Sequence, residues 1–286
     1  MSSSNLINDP DALIAAWRKL AEQHHHLHQP QAAAMLGVPE ACLVAALCGQ
    51  SATRLDGNPE DILAAIAPLG KQIMAVSHHA GVLIGIAKPL RFERRGKHLV
   101  LADAHNRLEV NSEAIAHYFV LIDDNGLHGR ERHLQVFDAQ GCALFKLLVL
   151  YKRHAADLAA LANHFRGADQ SRLVANTAPV EHAGRPTADS EATSQAASMA
   201  NELAEWSDQG SAIRAEVSTP TVTLACQATS PKVYGMEDGY LHFSHATMKL
   251  HARLALMSPA VENSDQWLSQ SPATPLRFQR LMEAPA

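Results

Sequence analysis

Histidine is the residue most able to do chemistry here, with 17 copies in 286 residues. A neutral imidazole is a good donor to transition metals, and near neutral pH it also moves protons. Nine of the copies fall into three groups. His24, His25, His26 and His28 end an N-terminal helical pattern, and His24 and His28 share a helical face, a spacing suited to a divalent metal. No third ligand is nearby, and a polar helix end facing the C-terminal dipole is the competing reading. His78-His79 closes an apolar strand pattern and reads either as a ligand position or as a pair of turn histidines. His242, His245 and His251 gather in a later β-like region, where His251 and Arg253 are two apart and share a strand face. That face is either a site or a solvated polar surface. Lys146 shares a face with Leu144 and Leu148, placed to meet an anion or to snorkel to solvent. No P-loop, Rossmann glycine fingerprint, nucleophile elbow or paired-carboxylate motif is present.

The elements that must position these groups change in period along the chain. Up to Gly70 the pattern is helical: Asp9-Pro10 opens one helix, Pro30–Leu36 a second ending at Gly37, and Pro39–Leu47 a third. Asn58-Pro59 opens a fourth, which Gly70 closes. From Ile73 to Tyr151 six apolar runs alternate with turn residues, including Asp123-Asp124-Asn125-Gly126 and Asp138–Gly141, and predict an antiparallel sheet. A helix over 155–165 follows. Residues 167–195 are rich in Ser, Thr, Ala, Asp and Pro and read as a linker. A helix over 197–206 and a shorter β-like region complete the chain. The segment from Gly70 can be laid on that from Gly210, and the one from Gly96 on that from Gly239, so the two β regions look like repeats.

Composition narrows the classes. Net charge is −5, which disfavours a broad nucleic-acid or anionic-membrane surface, and no apolar run is long enough to span a bilayer. The helix-turn-helix outline over 30–47 lacks Lys and Arg, so structural packing explains it better than DNA binding. Four scattered Cys and no leader-like start predict a reduced, cytoplasmic protein.

Three segments carry a resemblance: LIAAWRKLAEQHHHLHQPQAAAMLGVPEACLVAAL, ATRLDGNPEDILAAIAPLGKQIMAV and RERHLQVFDAQGCALFKLLVLYKRHAADLAALANHF. In this order they resemble the HemS/ChuX-type haemin-utilisation family over about residues 12–165, and KLHARLAL resembles its second-repeat strand. The resemblance implies an α+β fold: a helical subdomain (1–70), an antiparallel sheet with a closing helix (71–166), the linker, and an abridged second β repeat (196–286). It implies haem as ligand, a carrier or haem-degrading role, and haem-uptake or haem-degradation proteins as partners. It makes His251 and His78 candidate haem-iron ligands, with Arg253 and Lys146 as propionate contacts. Two departures stand out. The family's haem-contacting Arg and Phe map onto Glu109 and Asn111, and the stretch after Trp206, where two-repeat members carry the axial His, has none. The alternatives are a member without haem activity that acts through protein contacts, or a His-rich transition-metal binder.

Overall fold

The computed structural model describes residues 3–24, 29–78, 81–126, 129–174, 190–230, 232–237, 240–253, 257–259, 266–269 and 276–281. Four helices open the chain: α1 (Ser3–Ile7), α2 (Pro10–Gln23), α3 (Gln29–Leu36) and α4 (Glu40–Ala45). The Asp9 carboxylate caps α2 by accepting from the Ala12 amide at 3.0 Å, with Pro10 as first helical residue. Gly37, at φ +68°, ends α3; the Val38 N–H bonds to the Ala33 carbonyl at 3.0 Å and the Gly37 N–H to the Ala34 carbonyl at 3.1 Å. All six residues of α4 are buried, which identifies the 30–47 outline as core packing. Strand β1 (Ala52–Leu55) and helix α5 (Pro59–Ile66) follow, the latter capped by the Asn58 carboxamide.

Eight strands come next: β2 (Gln72–His78), β3 (Gly81–Ala87), β4 (Arg91–Arg95), β5 (His98–Ala102), β6 (Asn106–Asn111), β7 (His117–Gly126), β8 (Gly129–Phe137) and β9 (Ala143–Val149). Helices α6 (Ala155–His164) and α7 (Ser190–Asp208) lead to β10 (Ala212–Ser218), β11 (Val222–Thr229), β12 (Lys232–Glu237), β13 (Tyr240–Ser244), β14 (Met248–Arg253), β15 (Met257–Pro259), β16 (Gln266–Ser269) and β17 (Leu276–Leu281). The fold is α+β, with a helical start and two antiparallel β regions, the second abridged.

The chain forms two compact units, each built from two separated stretches: Met1–Gly70 with Asn111–Gly184, and Lys71–Val110 with Arg185–Ala286. Residues 71–166, read from sequence as one sheet with its helix, thus contribute to both.

In the first unit the strand order is β1-β7-β8-β9. Leu13, Ile14 and Trp17 of α2, Ala32 and Ala33 of α3 and the whole of α4 share a core with Phe119, Leu121 and Phe137 of the sheet. Helix α6 packs on α5 and against β1, β7 and β8. The first residues of the expected linker belong to this unit. The Gln170 carboxamide bonds to both backbone groups of Arg54, and the Arg172 guanidinium reaches the Ala46 carbonyl and the Asp11 carboxylate, each at 2.8 Å. The far end of the linker is shortened too, because α7 begins at Ser190. The turn expected at Asp123–Gly126 is instead the end of β7, whose register against β8 shifts between Asp123 and Gly126, so an irregularity in the strand absorbs the turn-forming residues.

The second unit holds two sheets, ordered β2-β3-β14-β13-β12 and β15-β16-β17-β10-β11-β6-β5-β4. Each repeat gives three strands to the other's sheet, β4–β6 from the first and β12–β14 from the second. β3 pairs with β14 of the second repeat, and β11 of the second repeat pairs with β6 of the first. The first part of the later β-like region is two strands, β10 and β11, because Thr219 turns the chain. Its hydroxyl accepts from the Val222 amide at 2.9 Å. Met199, Leu203 and Trp206 of α7 are buried, and α7 packs against β10, β12 and β15.

The two sheets approach closely at Gly85. A Cβ there would lie 2.9 Å from the Asn106 Oδ1 and 3.1 Å from the Cys226 Sγ. Asn106 is itself held by a bond from its Nδ2 to the Ile86 carbonyl. Gly85→Val is expected to destabilise the protein by about 2 kcal/mol, the usual range for overpacking. An unchanged urea midpoint would show that the sheets can separate locally.

Candidate functional site

In the five-stranded sheet the registers set Ser77, Val82, His251 and His242 opposite one another in a single row across β2, β3, β14 and β13. Ala75, Ile84 and Lys249 form the next row on the same face, and Ile73 and Ile86 the one beyond. Ile73, Ala75, Ile84 and Ile86 are half-buried, whereas the opposite face carries the buried Met74, Val76, Leu83 and Leu250. Arg253 is two residues beyond His251, opposite Tyr240. The partly covered apolar face is therefore the one on which the strand positions of His242, His251 and Arg253 fall.

His78 stands in the intervening row, opposite Gly81, which in turn faces Ala252. Alternation assigns that row to the other side of the sheet, so the registers do not set His78 and His251 on one face. His245 belongs to the β13–β14 turn, where its Nδ1 lies 2.8 Å from the Thr247 hydroxyl and accepts from the Thr247 amide. His24 ends α2 through its backbone N–H, while His25, His26, His28 and His79 lie outside the described residues.

The exchanged pairing gives His251 a counterpart. The buried pair Leu224 and Leu108 in β11–β6 matches the buried pair Leu83 and Leu250 in β3–β14. One residue along, Glu109 opposite Thr223 takes the place that His251 holds opposite Val82. Glu109 is already engaged: Arg107 donates to its Oε2 at 2.7 Å, and His98 Nδ1 lies 3.2 Å from its Oε1. Asn111 accepts from the Glu113 amide and caps a short 3-10 turn. Glu109 offers a propionate no cation, and the neighbouring Arg107 is already committed to it. Beyond Trp206, Gly210 at φ +73° ends the helical stretch with no imidazole.

Lys146 lies in the first unit. Its Nζ donates to Gln29 Oε1 at 2.6 Å and pairs with Glu40 Oε1 at 3.1 Å, and the Gln135 carboxamide donates to that same carboxylate oxygen at 2.6 Å. Sequence reasoning did not find His133, two residues before Gln135 on the same strand face. It is 2 % exposed, and its Nε2 has no hydrogen-bond partner. Burial, helped by the Lys146 charge, pushes its pKa down to about 3. The four cysteines are free; burial raises the thiol pKa of Cys48 and Cys226, which keeps them protonated and unreactive.

Among the described residues no helix is long and apolar enough to cross a membrane, and no group of three or more His, Cys, Asp and Glu could hold a metal ion. Residues 37–165 match the family model described as the haemin-degrading HemS/ChuX domain. Comparison with curated proteins finds no significant match. Among solved structures, apo-PhuS and holo-PhuS, a heme-binding protein from Pseudomonas aeruginosa, each align at TM-score 0.75 with 17% identity. The alignments cover 96% and 97% of this chain and 94% of PhuS. The heme degrading enzyme ChuS of Escherichia coli O157:H7 aligns at TM-score 0.73 with 18% identity over 95% of this chain and 94% of ChuS. Residues 37–165 are therefore a HemS/ChuX-type haemin-utilisation domain, and the rest of the chain completes the two-repeat fold with an abridged second copy.

Proposed function

We propose that the protein binds haem on the outward face of the β2-β3-β14-β13-β12 sheet and serves haem-iron utilisation, as a carrier or in haem breakdown. The observation that carries this reading is the row of register positions joining His251 to Val82, with Arg253 two residues on and half-buried Ile73, Ala75 and Ile84 beside it. An imidazole, a guanidinium and an apolar surface are the three things a haem needs: an iron donor, a propionate partner and a place to lay its ring. Haem, when bound, supplies an iron able to activate oxygen; the chain supplies donor, anchor and shelter from water. His251 would donate an imidazole nitrogen to the iron, and Arg253 would hold a propionate. Lys146 is occupied by Glu40 and Gln29, and the position matched to His251 holds Glu109 paired with Arg107, so neither supplements them. The domain match and the likeness to PhuS and ChuS support a haem ligand. Proteins of haem uptake or haem degradation are the partners this role implies.

Hemin titration tests it. The expected result is a saturable, shifted Soret band. His251→Ala should change its position and spin state, because removing an axial nitrogen changes the ligand field. Arg253→Ala should weaken binding about tenfold with little spectral change, as for loss of one charge-assisted pair. A spectrum that responds to His78→Ala and not to His251→Ala would move the site to the other side of the sheet. No saturable band at all would leave a family member that acts through protein contacts.

A further inference from the structure

The β4–β5 hairpin concentrates positive charge in a chain whose net charge is −5. Between Lys88 and Lys97 lie Lys88, Arg91, Arg94, Arg95 and Lys97, against the single acid Glu93. Every residue of β4 except Phe92 is exposed. β4 is also the last strand of the eight-stranded sheet, with β5 as its one neighbour in the strand order, so one edge of its backbone has no strand beside it among the described residues. Cationic side chains are a common means of keeping such an edge from pairing with another. One or two suffice for that; five, with one acid among them, also create an attractive field for an anionic strand.

We propose that the β4–β5 hairpin is a docking edge for an acidic, extended segment of a partner protein, which joins the sheet as the strand next to β4. The edge offers backbone N–H and C=O groups, and an extended peptide satisfies them along its whole length. Carboxylates on alternate residues of the added strand share one face of the sheet, where they fall beside Arg91. Arg95 is already held by Glu93, at 2.8 and 2.9 Å. A second copy of this chain does not fit, because joining β4 to β4 would set two cationic strands against each other. Single-stranded nucleic acid matches the charge but not the backbone edge. Phe92, the hairpin's aromatic residue, is half-buried opposite the buried Leu101, so its ring is a poor stacking platform.

The test is an NMR titration of the 15N-labelled full chain. The probes are a capped eight-residue peptide of alternating Glu and Thr, the same peptide N-methylated at alternate residues, its Lys-for-Glu counterpart, and inorganic polyphosphate. The expected result is saturable shifts confined to the amides of residues 88–99 with the Glu–Thr peptide, and none with the Lys peptide. Affinity should fall about tenfold or more with Arg91→Glu/Lys97→Glu. Arg91→Gln/Lys97→Gln, which leaves the surface uncharged, should fall in the same direction by less. The N-methylated peptide should bind far more weakly, because it cannot form the ladder. Equal binding of the methylated peptide, or binding of polyphosphate without binding of the peptide, would replace strand addition with plain polyanion attraction and overturn the proposal, as would binding of neither.

Discussion

Acidification from near pH 7 to about pH 4 is expected to remove on the order of 3 kcal/mol of stability through one imidazole, that of His133. In the folded chain this group stays neutral down to a pKa of about 3, because charging it inside the first unit forfeits hydration and sets it against Lys146. In the unfolded chain it takes up its proton at the ordinary value of 6.5. Between these values the unfolded state binds the extra proton. Stability is therefore full above about pH 6.5 and falls by roughly 1.4 kcal/mol per pH unit toward the folded value. Glu131, on the same strand, works the other way. Burial raises its pKa, so it favours the folded state most when protonated. His133→Leu removes the titration and the unpaired Nε2 together. Urea unfolding across this pH range should then show a flattened acid limb, with stability near pH 7 unchanged or higher. A limb as steep as the parent's would assign acid sensitivity to other groups.

Lys146→Met is expected to cost about 3 kcal/mol, the lower end for removing one partner of a buried ion pair. The lower end applies because the Lys146 side chain is 20% exposed, against 8% for Glu40. The loss arises at Glu40, whose carboxylate would be left with Gln135 in a site built for a cation. Lys146→Met combined with Glu40→Gln should recover most of the loss, since no buried charge then remains. Glu40→Gln alone should cost less, because the long lysine stem can carry its ammonium outward. A double variant as unstable as Lys146→Met would mean that the lysine's packing, not its charge, holds α3 and α4 to the sheet.

The helices were legible because their signals are local. Asp9-Pro10, Gly37 and Asn58-Pro59 each act within one turn, and each does so in the structure. The pairing of strands was not. Alternation along β3 or β6 reveals which side faces the core but nothing about which strand lies beside it. β4 escaped notice because an exposed edge carrying four charges in five residues has no apolar rhythm to read. The Glu131-His133-Gln135 stripe looks like a solvent face in sequence. His133 and Gln135 become interior only when Glu40, 95 residues before Gln135, arrives with its helix. Of the candidate site, the proximity of His251 to Arg253 was visible from spacing. The neighbours Val82 and Ser77 were not, since they depend on the exchange of strands between repeats.

That exchange has an evolutionary corollary. A chain with one repeat could complete β3 and β6 only by lending strands to an identical copy, and the resulting homodimer would carry the same residue at both equivalent positions on its two faces. Joining the repeats in one polypeptide lifts that symmetry: each position mutates alone. Glu109 and His251 occupy matched registers and have diverged as far as an ion-paired carboxylate and an imidazole. One face was thus free to drift into a salt-bridged surface while the other kept an imidazole and a guanidinium, a divergence denied to any assembly of identical chains.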